Sequence, residues 1–154
     1  MIKYYPADKT NAIIGLKFPL NSAKNSGGLF NFSMSTEEQS VTNYINLLLT
    51  RPGERYYHPN YGVGLQLYIF EPNTDYIRNE IEFKIRQQCN YWLPYIINHD
   101  IKIHSGPINN ILGLSDVENS LHIVIVFSVG EYGANKTITV FQKNGIVNTN
   151  VENL

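Results

Sequence analysis

The chain has few charged residues, and this scarcity limits the partners it can bind. Asp, Glu, Lys and Arg make up 16% of its 154 residues, below the roughly 25% of an average soluble domain. Twelve basic residues nearly balance thirteen acidic ones, so bulk charge does not predict a nucleic-acid or anionic-membrane partner. The polar surface must come from Asn, Ser, Thr and Tyr, which suits permanent contact with other chains. An AT-rich genome would enrich several of the same residue types, so composition alone leaves both explanations open.

Cysteine and long apolar runs are scarce as well. Cys89 is the single cysteine, which excludes an internal disulfide and a cysteine zinc site. It falls in a helical pattern, where a small buried hydrophobic residue is the expected role. No apolar run approaches the length of a membrane span, and the opening MIKYYPADKT lacks the apolar core of a signal peptide. We therefore expect the chain to be made in the cytoplasm of its host.

Two helices are predicted in the middle of the chain. The first begins at a capping box formed by Ser35 and Glu38, and Pro52 with Gly53 ends it. The second begins near Thr74 and stops before a proline at position 94, which removes a donor and clashes with the preceding turn. Each carries an apolar stripe at helical spacing, made of Val41, Tyr44, Ile45, Leu48 and Leu49 in the first and of Ile77, Ile81, Ile85, Cys89 and Trp92 in the second.

Strand patterns occupy both ends of the sequence. Residues 12–18 and 29–34 read as short strands, and the last third changes to a two-residue period. In 121–129 every odd position is apolar, which predicts one continuous core face, and GEYGAN joins this strand to 136–142 as a hairpin. Residues 106–120 are too long for a tight turn and predict a projecting loop. The fold class is therefore α+β: two main helices packed on a mainly antiparallel sheet with a C-terminal hairpin, in one domain spanning 1–154.

Candidate catalytic and metal-binding residues lack supporting context. The carboxylates that a glycosidase would need are present by type, at Glu37, Glu38, Glu54, Glu71 and Asp75. The first two cap a helix, and Arg51 and Arg55 should keep Glu54 ionised. His99 and His104 are an odd number apart in a strand, hence on opposite faces, while the other two histidines have no spaced partner. GEYGANKT resembles a phosphate loop but lies between strands. No cofactor and no metal site are predicted.

The stretch TRPGERYYHPNYGVGL, residues 50–65, concentrates special backbone chemistry and aromatics in one loop. Its tyrosines, at positions 56, 57 and 61, could stack bases, but no basic stripe accompanies them. Two interpretations remain open for them. They pack the loop against the sheet, or they form the core of an interface, where Tyr and Arg are enriched.

The order of these features resembles the baseplate wedge family of contractile tails, from about residue 12 to 142. That family includes a phage baseplate protein once labelled an acidic lysozyme and the TssE component of type VI secretion. Its most specific match is the segment 49–72, through Thr50, Gly53, Glu54, Arg55, Pro59, Gly62, Leu65, Phe70, Glu71 and Pro72.

One departure from the family concerns the end of the second helix. The family usually carries a Glu-Pro-Arg triplet there, which anchors the protein to the helical core bundle of its wedge partners. This chain has Leu93, Pro94 and Tyr95 instead. The resemblance implies anchoring at this corner, and an aromatic-apolar contact that includes Trp92 would replace the ion pairs.

The resemblance implies a structural subunit of the virion tail baseplate, without enzymatic activity. Its partners would be other wedge proteins and the tail sheath, in a hetero-oligomeric assembly without nucleic acid or membrane. The parent machine could be a phage tail, a type VI system or an extracellular injection device. The implied partner interface comprises Thr50, Arg51, Gly53, Glu54, Arg55, Pro59, Gly62, Phe70, Trp92, Leu93, Pro94 and Tyr95. The implied template for sheath addition is a strand of Thr137, Ile138, Thr139, Val140 and Phe141, although the sequence leaves open whether this strand or another forms the exposed edge. The alternative is a peptidoglycan hydrolase, as the old label suggests, although no carboxyl group lies in an apolar sequence context.

Overall fold

Over the residues that the structure describes, the fold consists of two long helices, a short 3-10 helix and six strands in two antiparallel sheets. A computed structural model describes residues 13–17, 30–72, 74–105, 121–131, 133–143 and 146–153. In chain order the elements are β1 (Gly15–Leu16), β2 (Phe32–Ser33), α1 (Thr36–Leu49), a 3-10 helix (Leu65–Phe70), α2 (Asp75–Trp92), β3 (Ile96–Ser105), β4 (Leu121–Val129), β5 (Lys136–Lys143) and β6 (Ile146–Asn153). This confirms the predicted α+β class. The expected projecting loop at 106–120 lies outside the described residues.

Helix α1 begins where the capping box predicted. The Ser35 hydroxyl accepts the Glu38 N–H at 3.2 Å, and the Glu38 carboxylate accepts the Met34 N–H at 3.1 Å. The predicted apolar stripe is confirmed at Tyr44, Ile45 and Leu48. Three further residues of α1 are also buried, Ser40, Thr42 and Leu47, so α1 is enclosed on more than one face.

Helix α2 packs one face only. Thr74 caps it by accepting the Ile77 N–H at 3.4 Å, and Leu93 follows its last turn. Ile81, Ile85 and Cys89 are fully buried, which confirms the predicted stripe. None of the helices in the described ranges is long and apolar enough to cross a membrane.

The four-stranded sheet runs in the order β3-β4-β5-β6, and this order corrects one expectation. The sequence predicts 136–142 as a strand of the terminal hairpin and as the implied template for sheath addition. Instead β6 pairs with β5 along its length, from Lys136 opposite Asn153 to Lys143 opposite Ile146. Because β4 pairs with its other side, β5 lies inside the sheet and its backbone groups are bonded on both sides. The terminal hairpin is β5–β6.

An irregularity in β3 corrects a second expectation. Ile97 lies opposite Ser128 and Asp100 lies opposite Val126, so β3 holds one more residue than β4 between these pairs. A bulge of this kind changes the alternation of side chains. His99 Nε2 consequently lies 3.0 Å from Ser128 Oγ, on the same sheet face as His104. The prediction of opposite faces is wrong because it assumed a regular strand.

The core lies between the helices and one face of the sheet. Ile123, Ile125 and Phe127 of β4 are buried, as the alternating pattern predicted. The rings of Tyr44 and Phe127 meet edge to face at 5.0 Å, and the Tyr44 hydroxyl donates to Asn98 Oδ1 at 2.5 Å. Burial raises the pKa of Tyr44 well above its ordinary value of 10, which keeps the phenol neutral. This hydrogen bond ties α1 to β3.

Candidate partner interface

The loop after α1 closes on itself before it reaches the next helix. The Gly53 N–H donates to the Pro59 carbonyl at 2.7 Å, and the Glu54 N–H donates to the Arg51 carbonyl at 3.1 Å. The Glu54 carboxylate accepts the Arg51 N–H at 3.0 Å, and Arg51 Nε donates to Gln66 Oε1 at 3.1 Å. Arg51 and Glu54, two of the predicted interface residues, therefore stabilise the conformation of the loop.

The end of this loop is fixed between α1 and α2. The Gly62 N–H donates to Gln88 Oε1 at 3.2 Å, and the Val63 N–H donates to the Leu47 carbonyl at 2.9 Å. A Cβ on Gly62 would lie 2.2 Å from the Thr50 carbonyl oxygen, so only glycine fits. The 50–64 loop is therefore a rigid connection between the two helices.

Trp92 gathers the aromatic residues of the loop at the end of α2. Its ring meets those of His58 and Tyr61 at 5.2 Å, and that of Tyr91 at 5.0 Å. Arg55 places its guanidinium 3.6 Å from the centre of the Tyr61 ring, a favourable stacking geometry. Burial raises the pKa of Tyr61, and the Arg55 charge opposes that rise. The predicted interface residues Arg55 and Trp92 are thus brought together, although they are distant in sequence.

The three loop tyrosines divide between the two interpretations that the sequence left open. Tyr61 is buried and packs the loop against α2. Tyr56 and Tyr57 are 91% and 85% exposed, and their rings meet edge to face at 5.2 Å. Two adjacent tyrosines on a rigid loop present contact area with little loss of side-chain entropy on binding. We call Tyr56 and Tyr57 the tyrosine tip.

The corner after α2 is used mainly inside the fold. Leu93 is only 6% exposed, so its side chain is not available to a partner. The Tyr95 hydroxyl accepts a hydrogen bond from Asn43 Nδ2 at 3.3 Å, and its carbonyl accepts the Gly130 N–H at 2.8 Å. Pro94 is exposed. Leu93 therefore offers little surface for the expected aromatic-apolar contact, while a contact through Trp92 and Tyr95 stays a prediction.

The other predicted interface residues differ in their accessibility. Thr50 is buried and its hydroxyl donates to the Asn46 carbonyl at 2.7 Å, so it ends α1 and does not face outward. Gly53 and Pro59 are exposed on the loop. Phe70 closes the 3-10 helix, and its side chain is outside the described part of the structure.

The predicted template strand lies in the sheet interior. Ile138 and Val140 are buried in the core, while Thr137 and Thr139 are half-buried on the other face and Phe141 pairs with Asn148 of β6. Among the described strands, β3 and β6 form the sheet edges. Helix α2 reaches the first half of the β3 edge, through Cys89 Sγ at 4.0 Å from the Ile96 carbonyl and Arg86 at 3.4 Å from the Asn98 carbonyl. The other edge among the described strands is β6.

Strand β6 was missed by sequence reasoning, although a signal for it exists. Asn-Gly at positions 144 and 145 separates β5 from β6 in the sequence, and this dipeptide is the strongest short-range sign of a hairpin. The apolar residues of β6 are the neighbours Ile146 and Val147 and the more distant Val151, so they do not follow a two-residue alternation, and Asn and Thr make up half of the strand. The weak alternation hid the strand.

The histidines include one pair that the sequence did not indicate. His104 lies directly opposite His122 across β3 and β4. Burial lowers the pKa of the partly enclosed His122, and the charge of His104 lowers it further. Among the described residues, no group of three or more His, Cys, Asp or Glu could hold a metal ion.

The helix-start carboxylates form ion pairs and caps. Glu37 Oε1 lies 3.0 Å from Lys136 Nζ, and Glu38 Oε1 lies 3.2 Å from Lys17 Nζ. Burial acts to raise the pKa of Glu38, but the Met34 N–H and the Lys17 ammonium outweigh it, and the pKa falls below 4.5. A general acid of a muramidase needs the opposite shift.

Together, the hydrogen-bonded 50–64 loop with its exposed tyrosine tip and the β6 edge of the sheet are features of an α+β module. The family described as Baseplate wedge protein gp25 matches residues 35–134, which is more than half of the chain. The chain belongs to this family of structural baseplate proteins and is located in the tail baseplate of a contractile tail.

Solved structures share the fold at low sequence identity. A chain of the anti-feeding prophage baseplate is 22% identical with a TM-score of 0.54, over 75% of this chain and 84% of that one. A protein of Geobacter sulfurreducens described as a candidate tail lysozyme is 20% identical with a TM-score of 0.51, over 78% of this chain and 92% of that one. No curated protein matches the chain significantly.

Proposed function

We propose that the chain is a non-enzymatic wedge subunit that starts the tail sheath by strand addition. In this proposal two surfaces contact the helical core bundle of the wedge partners: the tyrosine tip, and the cluster of Trp92 with His58, Tyr61, Tyr91 and Arg55, which we call the Trp92 cluster. The free edge of β6 then receives a strand of the first sheath ring. The observation that carries the proposal is the position of β6, which pairs with β5 and with no other described strand.

The composition of β6 supports its use as a template. Its eight residues contain no lysine and no proline, and Glu152 is its single charge. Natural sheets usually protect an edge with such residues, since unpaired N–H and C=O groups attract other strands. An edge of this length without that protection is suited to a permanent partner strand.

The sheet face that is buried at β5 is more exposed at β6, near Val151. Ile138 of β5 lies opposite Val151 of β6, so the two side chains share one face. Ile138 is fully buried, whereas Val151 is 41% exposed. A strand added beyond β6 would extend this face and remove Val151 from water, which adds an apolar contribution to the main-chain hydrogen bonds.

Proline substitutions in β6 test the template. Thr149 and Asn150 are neighbours, so their N–H groups point to opposite sides of the strand. Of Thr149→Pro and Asn150→Pro, the variant that loses a bond to β5 should unfold more easily. The other variant should keep its melting temperature but stop sheath growth, measured as sheath length on tails by electron microscopy. Full-length sheath from both variants, with both folded, would contradict the proposal.

The non-enzymatic part of the proposal has its own test. Glu38 accepts the Met34 N–H and pairs with Lys17, which stabilises its ionised form. A cell-wall turbidity assay on the purified chain should therefore give no lysis. Robust lysis that disappears when one carboxylate is changed to its amide would establish a hydrolase instead.

A further inference from the structure

The outward side of α2 carries a stripe without charge. Tyr76, Phe83 and Asn90 follow each other at intervals of seven residues, with Asn79 and Gln87 beside them. Seven residues return nearly to the same side of a helix, because two turns take 7.2 residues. All five side chains are exposed. The exposed side of a surface helix normally carries charged and polar residues, so two large aromatics in an uncharged stripe need an explanation.

The charges that border this stripe interact with partners in the same chain. Arg86 Nε lies 2.9 Å from Glu82 Oε1 on one side. On the other side, Tyr68 donates to Glu80 Oε1 at 3.1 Å and accepts from Lys84 Nζ at 3.2 Å. The stripe is therefore bordered by charges that are already paired, and a charged group from a partner would gain no opposite charge there.

The aromatic area along this side matches what one half of an interface needs. Tyr76 and Phe83 are 74% and 67% exposed, and Tyr91 is 76% exposed. Tyr91 contacts Trp92, which contacts His58 beside the tyrosine tip. Three aromatics of the helix and two of the tip, at about 200 Å² each, present an area on the order of the 800 Å² that one partner buries in a standard interface.

We infer that the stripe of Tyr76, Asn79, Phe83, Gln87 and Asn90 seats one helix of a wedge partner. The contact stripe of that helix would be apolar with uncharged polar residues. This inference rests on the proposed wedge function and extends its contact surface along α2. A helix fits because a seven-residue interval keeps two packed helices in contact over several turns, and the stripe runs for about 21 Å at 1.5 Å per residue.

Photo-crosslinking in assembled tails tests which partner lies on the stripe. A photoreactive phenylalanine analogue replaces Phe83 in one variant, Asn90 in a second and Ile13 in a control. Ile13 is exposed and lies outside the helices and strands. We expect positions 83 and 90 to crosslink to one helix of one wedge protein, at sites about seven residues apart. Crosslinks to the sheath protein or to a second copy, or none from position 83 in assembled tails, would overturn the inference.

A binding measurement separates this inference from the proposed function. The probe is the wedge subcomplex purified from tails that lack this chain. Phe83→Glu should weaken binding at least about tenfold, as expected for an interface aromatic, without changing the melting temperature of the isolated chain. Ile13→Glu should change neither. If Phe83→Glu binds normally while Tyr57→Glu does not, the α2 inference fails and the wedge function stands. If both bind normally, the proposed wedge contact fails as well.

Discussion

Gly62 lies where the 50–64 loop passes between α1 and α2. Because Gly62 has no side chain, the loop can lie directly against the Thr50 carbonyl at the end of α1. Its φ of +108° is one that side chains rarely adopt, and a Cβ there would meet the Thr50 carbonyl at 2.2 Å. Gly53 in the same loop also has a positive φ, of +88°, but has nothing within 4 Å of the added atom. A comparison of the two glycines therefore distinguishes the cost of backbone strain, which both positions share, from the cost of steric contact, which arises only at Gly62.

Gly62→Ala should cost clearly more stability than Gly53→Ala. Strain at a positive φ costs about 1–2 kcal/mol at either position, and the backbone contact adds to it only at Gly62. Urea unfolding of the two variants measures the difference in the free energy of unfolding. Equal losses would mean that the loop moves away from Thr50 freely.

Because of His122, the stability of the fold should depend on pH, and the direction of that dependence can be predicted. Burial and the neighbouring His104 lower its pKa below 6.5 in the folded chain. Below that pH the unfolded chain takes up more protons at this residue, so its contribution to stability is lost as the pH falls. The melting temperature should decrease between about pH 7.5 and pH 5.5.

The matched comparison for His122 is His104, which lies opposite it across β3 and β4. His122→Gln should flatten the fall in melting temperature with pH, whatever its effect on the absolute value, and His104→Gln should flatten it less, because burial, the larger cause of the His122 shift, remains. A slope that is the same in the His122 variant and the unaltered chain would assign the pH dependence to other groups.

At the scale of elements, the sequence correctly predicted the features that depend on residues close together in the chain. The capped start of α1 and the stripe of Ile81, Ile85 and Cys89 follow from helical spacing, because a helix satisfies its own backbone. Strand pairing depends on contacts between distant segments, so neither the bulge at His99 nor the facing of His104 and His122 could be read from spacing. The sequence predicted only part of the Trp92 cluster, because no pattern of neighbouring residues places Arg55 near the end of α2.

The interior position of β5 predicts the effect of proline there. In an edge strand only one of two neighbouring N–H groups is bonded within the sheet, whereas in β5 both are. Ile138→Pro and Thr139→Pro should therefore each destabilise the chain, by at least about 1–3 kcal/mol for the acceptor left unsatisfied. Thermal unfolding measures both. A proline variant of β5 that is as stable as the unaltered chain would contradict the observed strand order.

At the scale of the whole molecule, the proposed contact surfaces contain few charges. The tyrosine tip, the Trp92 cluster and the outward side of α2 hold Arg55 as their main cation, and that cation stacks on Tyr61. Screening by salt acts on charges and leaves apolar burial almost unchanged. The wedge contact should therefore differ from interfaces held by ion pairs.

Binding to the purified wedge subcomplex should be insensitive to ionic strength. We expect similar affinity at about 0.05 M and about 1 M salt, although the Debye length falls severalfold over that range. Tyr57→Ala should weaken binding at both concentrations, as expected for an exposed aromatic anchor. A steep loss of affinity with salt would assign the anchor to charged residues elsewhere.

The unprotected edge of β6 also matters before any tail exists. An antiparallel strand is complementary to its own copy, so two free chains can pair edge to edge. The rate of that encounter rises with the square of the free chain concentration, whereas capture by a wedge rises only in proportion to it. Low and well-timed synthesis therefore favours the productive encounter. The edge that we propose for sheath addition therefore also favours conditions in which few unassembled copies accumulate.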